Sequence, residues 1–429
     1  MKKLVLMLMF GMVGCSAAMN GTSDRTGGGG SGDPGTGGDG GTGGTGGRVG
    51  TGGKGGGTGG SSTGGSGAGG SGLGGSGTGG TGGDAGTGGS SSTGGAGGSS
   101  GGAGGSSPPP THAFAYASGA EFGGAQLTTF ALDLMTGALT KKGTVSGGSS
   151  PTYLAVHPSG KFLFVNNEQG NGVTSFSIGA DGALTMINRS AAGGNPAHVG
   201  VHKSGKWLFS AGYNGGTMTI TKIGEDGSLS AGSTVKPGAM AHFTTDDGVT
   251  GNFIFVPCLG ANHVAMYKFD ATTGQATPNS PATIAVGGGP RHMAFNPNGK
   301  WAYVSQENGS AITTLAYDST TGLLSAPKNT PAPSDGVHVV AHPNGKLLFH
   351  IARSGTTTVY KIGDDGALSA GAKVAGGNDG ALTRDGKYLL VVSGATVKAF
   401  AVNPNTGDLT AAGTGQAANT AQSVTVVEL

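Results

Sequence analysis

From residue 111 onward the chain repeats one pattern seven times, and that repeat decides what it can fold into. The pattern is clearest from Gly287 to Gly309, GGGPRHMAFNPNGKWAYVSQENG. A Gly/Pro loop leads into a short apolar run (Met293 to Phe295). Asn-Pro-Asn-Gly then turns the chain into a second run from Trp301 to Ser305. Counterparts of that second run begin at Phe114, Phe162, Trp207, Phe253, Trp301, Leu347 and Tyr388, at steps of 48, 45, 46, 48, 46 and 41 residues. A second marker keeps the same period: Thr136-Gly137, Asp181-Gly182, Asp226-Gly227, Thr273-Gly274, Thr321-Gly322, Asp365-Gly366 and Thr406-Gly407. Such pairs between short runs signal hairpins, because Gly accepts positive φ at little cost. No helical period interrupts them. Seven units of four short strands predict an all-β fold, a seven-bladed β-propeller over residues 111–429. Gln422 to Leu429 reads as the first strand of a unit with nothing after it, and the unit opening at His112 lacks that strand. The C-terminal strand is therefore expected to complete the first blade, closing the ring and removing free edges.

What precedes the repeats is of another kind. The 429 residues include 96 Gly, concentrated from about Thr26 to Gly105 among Ser, Thr and Ala. Such a stretch cannot bury enough apolar surface to offset its ordering entropy, so residues 16–110 are expected to form a disordered tether. As a flexible coil, about 80 residues span roughly 50 Å. A nucleophile-elbow match inside it (Gly60-Ser61-Ser62-Thr63-Gly64) is compositional, since no strand precedes it and no helix follows. Residues 1–15, MKKLVLMLMFGMVGC, place two lysines before an apolar run too short for a stable membrane span. They read as an export signal that resembles a bacterial lipoprotein leader, with Met12-Val13-Gly14-Cys15 as the lipobox. That resemblance implies a lipidated Cys15 and, with Ser16 after it, an exported lipoprotein of the cell envelope, at the outer membrane. Cys258 then lacks a partner and is expected to be a small buried apolar residue. A net charge of +2 with 11% charged residues gives no electrostatic case for nucleic acid.

In a propeller blade with strands A to D running outward from the channel, the loops entering A and joining B to C share one face. The A–B turns lie on the other. His157, His202 and His342 fall in A–B turns (HPSG, HKSG, HPNG) and are expected to be turn residues with local hydrogen bonds. Nine residues before the B-strand marker stand Tyr153, His198, His292, His338 and Asp379, and His242 lies eleven before it in a unit with a longer turn. One position therefore carries a polar group in six successive blades, which predicts a polar ring at the channel mouth. The neighbouring loops add Glu168, Tyr213, Asn214, Glu307 and Arg353. His, Glu and Arg together can activate water and hold an oxyanion. The same ring could hold a metal. Because each His comes from a different blade, and Arg291 and Arg353 would repel a cation, no metal and no cofactor are expected. Two guanidiniums suit a carboxylate or phosphate through bidentate hydrogen bonds.

At these residues the chain resembles the seven-bladed lactonase propellers, the family of bacterial 6-phosphogluconolactonase and the fungal carboxymuconate-lactonizing enzyme. The resemblance covers about residues 112–429. It is most specific in GPRHMAFNPNGKWAYVSQEN (Gly289 to Asn308) and nearly as close in NPAHVGVHKSGKWLFSAGYNGG (Asn195 to Gly216). By local motif it implies a catalytic set of His242, Arg291, Glu307 and Arg353, with His198, Tyr213, Asn214, His292, His338 and Glu168 around the substrate. The seventh blade departs from the pattern: Gly377-Asn378-Asp379-Gly380 stands where relatives carry Pro-Arg-Gly, exchanging a positive charge for a negative one.

Three functions follow as expectations. The first is a lactone hydrolase of carbohydrate metabolism, in which Arg291 and Arg353 stabilise the tetrahedral oxyanion and Glu307 or His242 acts as general base on water. The second is a non-catalytic, surface-tethered binding propeller. The third is a metal-dependent lactonase, which insensitivity to a chelator would exclude. The expected partners are a small lactone or anionic sugar and, through Cys15, a membrane, with the chain a monomer.

Overall fold

The computed structural model describes residues 112–119 and 125–429. The expected signal, the lipidation site Cys15 and the tether lie outside the described residues. Among those described, all regular structure is β, in seven four-stranded antiparallel sheets. No helix there is long and apolar enough to cross a membrane.

Six blades are formed by consecutive strands. Their second strands are Phe162–Asn167, Trp207–Gly212, Phe253–Cys258, Trp301–Gln306, Leu347–Ala352 and Tyr388–Ser393, each starting at the residue the repeat marks. In blade 1 the C-terminal strand Ala421–Glu428 is innermost, pairing antiparallel with Ala113–Gly119. The ring therefore closes as the orphan strand predicts, and the first and last segments of the domain share one sheet. Blade 4 is the irregular one. Its inner strand is reduced to Thr245–Asp246 and an isolated Ala241–Cys258 bridge, which is why His242 sits two residues further from its marker.

The core is a set of seven layers, one between each pair of neighbouring blades. Strand alternation distributes the side chains: Leu163 and Val165 pack toward blade 1 with Phe114 and Tyr116, while Phe164 packs toward blade 3 with Val199 and Leu208. The layer between blades 7 and 1 joins Tyr388 and Leu390 to Phe130 and Val424. Both faces of every sheet thus depend on a neighbour.

The two periodic markers meet across these layers. Each turn glycine sits against the marker residue of the preceding blade: Gly182 on Phe114, Gly227 on Phe162, Gly274 on Trp207, and Gly137 on Tyr388 at the closure. At Gly274 φ is +78°, and a Cβ would lie 2.2 Å from Trp207 Cη2, so both backbone and space require glycine. On the face opposite the entry loops, the A–B turns are laced to one another. His157 Nε2 lies 2.8 Å from the Gly205 carbonyl, His202 Nε2 2.7 Å from Gly251, and His342 Nε2 3.2 Å from Gly386. Backbone N–H groups two residues on donate to each Nδ1, leaving Nε2 as the donor. These histidines are turn residues, as expected, and also inter-blade ties.

Candidate active site

Two recurring backbone devices place the side chains at the mouth. The first is a residue in the left-handed region at the entry to strand A: Ser150, Asn195, Met240, Gly289 and Asp335, with φ of 56°, 53°, 53°, 64° and 62°. Its carbonyl accepts a hydrogen bond from the residue just after strand B: Glu168, Tyr213, Leu259, Glu307 and Arg353 respectively. The position after strand B is thereby fixed in five blades; in four it carries a charged or aromatic group, and in blade 4 it is Leu259. The second device is a β-bulge. Between Pro290 and Met293 the register slips by a residue, as it does before His198 and His338, so an extra residue precedes the ring position. That extra residue is Ala197 in blade 3, Val337 in blade 6 and Arg291 in blade 5. The bulge lets Arg291 and His292 both serve the mouth although they are adjacent in sequence.

Glu307 is the hub of one cluster. Its Oε1 accepts from Arg291 Nη1 at 2.9 Å and from Arg353 Nη2, and its Oε2 is buried with no hydrogen-bond partner among the described residues. Arg353 Nη2 also lies 3.6 Å from Asp335 Oδ1. The guanidiniums are mostly enclosed, with 13% and 23% of their side chains exposed, against 6% for Glu307.

The polar ring is the other cluster. The rings of Tyr153 and His198 are 4.1 Å apart between centroids, His198 and His292 5.7 Å, His242 and His292 5.4 Å, and His292 and His338 4.9 Å. His292 Nδ1 and His338 Nδ1 approach to 2.6 Å, and Asp379 Oδ1 lies 3.5 Å from His338 Nδ1. Burial holds His198, His242 and His292 well below the usual imidazole range, with the Arg291 charge adding to the effect at His242 and His292. Burial also lowers His338, with Asp379 opposing it, and raises the Asp379 carboxyl. His242 joins the two clusters. Its ring meets Tyr213 at 5.6 Å, the charges of Arg291 and Arg353 both act on it, and neither ring nitrogen has a hydrogen-bond partner among the described residues. The arrangement offers a neutral base beside two cations.

A protein-family description, "Lactonase, 7-bladed beta-propeller", matches residues 114–426. The chain belongs to the seven-bladed lactonase propeller family. Among curated relatives, a 6-phosphogluconolactonase of Serratia proteamaculans is 30% identical over 241 residues, 54% of this chain and 72% of its own length. One of Pectobacterium carotovorum is 26% identical over 245 residues, 54% of this chain and 59% of its own length. The chain thus spans less than two thirds of the Pectobacterium relative. Among solved structures, one from Bacteroides fragilis aligns with a TM-score of 0.68 at 22% identity, covering 74% of this chain and 98% of the other. The periplasmic gluconolactonase of Pseudomonas aeruginosa aligns at 0.65 and 20% identity, covering 74% and 99%. These last two likenesses concern the fold.

Set in this lactonase-family propeller, the residues singled out from sequence fall as follows. His198, His242, His292 and His338 meet at the axis, Arg291, Glu307 and Arg353 form one ion-paired group, and Tyr213 touches His242. Glu168 occupies in blade 2 the position Glu307 has in blade 5, and Asn214 is exposed beside Tyr213. Cys258 is buried, with its thiol pushed up to about 12. Two residues were missed. Ser423 lies opposite Ser118 in the register that elsewhere pairs His198 with Ala211 and Asp379 with Val392, so the ring has seven members. Aligning the C-terminal strand with the other inner strands, Ser423-Val424-Thr425-Val426 on His292-Met293-Ala294-Phe295, would have found it. Asp335, 18 residues before Arg353, carried no motif. One argument against a metal also fails: histidines from different blades are not thereby far apart, because His292, His338 and Asp379 offer ligand atoms all within 4.8 Å of one another.

Proposed function

We propose that this propeller hydrolyses a small sugar lactone. The observation that carries the reading is His242, buried without a hydrogen-bond partner on either ring nitrogen and facing the charges of Arg291 and Arg353. In its neutral form His242 takes a proton from water as the water oxygen attacks the lactone carbonyl. The carbonyl electron pair moves onto oxygen, and Arg291 and Arg353 stabilise that oxyanion. Collapse of the tetrahedral intermediate breaks the ring C–O bond, the imidazolium returns its proton to the leaving oxygen, and a hydroxy acid results. Glu307 holds the two guanidiniums through one oxygen, so that their positive charge is set before substrate arrives. His198 and Tyr213 line the site, with Glu168 and Asn214 on the loops around it.

The charge balance favours an unphosphorylated lactone. Glu307 and Asp335 set two carboxylates against the two guanidiniums, which leaves little net positive charge for a doubly charged phosphate ester. An exported, Cys15-anchored chain would also meet free sugar lactones outside the cytosol. Lipid anchoring is checked by metabolic labelling with a radioactive fatty acid, which Cys15→Ser should abolish.

Hydrolysis is tested on the full chain by pH-stat titration of glucono-1,5-lactone and its 6-phosphate. Turnover of the unphosphorylated lactone is expected, with losses of about a hundredfold or more in Arg291→Ala and in Glu307→Ala. Unchanged rates in both variants would remove the assigned site. No turnover of any lactone, alongside a ligand-induced rise in melting temperature, would make the propeller a binding module instead.

A further inference from the structure

His292, His338 and Asp379, on the inner strands of blades 5, 6 and 7, have no part in the reaction just described, yet they bring three ligand atoms within 4.8 Å of one another. His292 Nδ1 and His338 Nδ1 are 2.6 Å apart, and Asp379 Oδ1 is 3.5 Å from His338 Nδ1. All three residues are more than nine-tenths buried.

Three electron pairs meet there, and among the described residues no other side chain donates a hydrogen bond to them. If both Nδ1 atoms carried hydrogen, two N–H groups would collide at 2.6 Å. If neither did, two lone pairs would face each other. One shared proton satisfies the imidazole pair and leaves the carboxylate oxygen with nothing to accept. Asp379 Oδ1 indeed has no hydrogen-bond partner among the described residues. Its twin Oδ2 is held firmly, 2.6 Å from Ser423 Oγ and 3.1 Å from the Val424 N–H, both donating. A carboxylate oriented through one oxygen, with the other aimed at two imidazole nitrogens, is how a supported metal ligand is built.

We propose that His292 Nδ1, His338 Nδ1 and Asp379 Oδ1 form a binding site for a zinc-class divalent cation on the propeller axis. Two nitrogens and one oxygen suit a borderline cation rather than calcium or magnesium, which take oxygen donors. Ligands of a tetrahedral zinc lie about 3.4 Å apart, which the His338–Asp379 separation already matches. The imidazole pair opens slightly to admit the ion, and three protein ligands leave a fourth position. The repulsion expected from Arg291 is offset by its ion pair with Glu307. The buried carboxylate of Asp379 gains the counter-charge it otherwise lacks.

The test uses the full-length chain without a polyhistidine tag, stripped with a chelator. It is titrated with zinc chloride and, separately, with cobalt chloride, then desalted for metal analysis. About one equivalent of zinc should be retained, with a rise in melting temperature. The cobalt form should show a visible d–d band without a thiolate charge-transfer band. Asp379→Asn and His338→Gln should each weaken binding by about tenfold or more. Failure of the native chain to retain zinc, a thiolate signature, or native affinity in both variants would each overturn the site. Should the variants not fold, the cobalt spectrum of the native chain decides.

Discussion

The role proposed for His242 rests on what surrounds it and not on any motif. The sequence around it, AMAHFTTDD, resembles the family pattern only loosely, and blade 4 is the one whose inner strand is broken. That break frees the residue from a regular ladder while its N–H still reaches the Pro257 carbonyl at 3.0 Å. Burial and the Arg291 charge keep it neutral far below the ordinary imidazole value of 6.5. A base of that kind gives a specific pH profile. It must lose a proton before it can work, and with a lowered pKa it has done so throughout the neutral range. The kcat/KM of lactone hydrolysis should stay level as pH falls through 6.5 and decline only well below it. His242→Gln should lower kcat by about a hundredfold or more. A half-maximal rate at pH 6.5 or above would assign the limb to some other group.

At the scale of the element, the strands and turns were legible because each repeat is under a packing constraint visible in the residues themselves. The marker residue and the turn glycine recur together because one packs on the other across a blade interface. Gly274→Ala should therefore cost about 3 kcal/mol, combining a strained positive φ with overpacking against Trp207. A denaturant titration that finds less than about 1 kcal/mol would mean the turn relaxes freely. The loops at the mouth were legible only in part. Glu307, Arg353, Tyr213 and Glu168 could be picked out as chemistry-bearing residues at one place in the repeat. What fixes that place, a left-handed residue whose carbonyl captures the next N–H, leaves almost no trace in residue type: Ser150, Asn195, Met240, Gly289 and Asp335 share nothing but a conformation. Asp335 was missed for that reason, and so was its contact with Arg353. Whether the polar ring would draw three ligand atoms within 4.8 Å was likewise beyond reach, since it depends on how far each inner strand leans toward the axis.

The described residues have no single core, only seven blade interfaces, and two consequences follow. The first concerns acid. His350, buried in blade 6, is held down to about 4 by burial, with His338 adding to the effect. The unfolded imidazole takes a proton below 6.5, while the folded one does not until about 4. Its stabilising contribution is complete above 6.5 and is lost as pH falls toward 4. At about 1.4 kcal/mol per unit, His350 alone removes roughly 2 kcal/mol by pH 5. His198 and His242 act in the same direction, and Asp379, whose carboxyl is raised, acts in the opposite one. The melting temperature should fall by several degrees between pH 7 and pH 5, and equal values would show that the buried imidazoles titrate normally.

The second consequence concerns closure. Residues 421–429 supply the innermost strand of blade 1, bury Ala421, Val424 and Val427, and hold Asp379 through Ser423 and Val424. Each buried valine contributes about 2 kcal/mol, and the lost ladder leaves the strand Ala113–Gly119 as a bare edge. Against a total stability of about 5–15 kcal/mol, a chain ending at Thr420 should lose its cooperative transition and become sensitive to protease across all seven blades, because each blade is an interface for the next. A peptide of residues 421–429 added in trans should restore part of the transition, since the groove it leaves is defined on both sides. A truncated chain that melts within a few degrees of the native one would mean that blade 1 stands on three strands and that the ring does not need its closing strand.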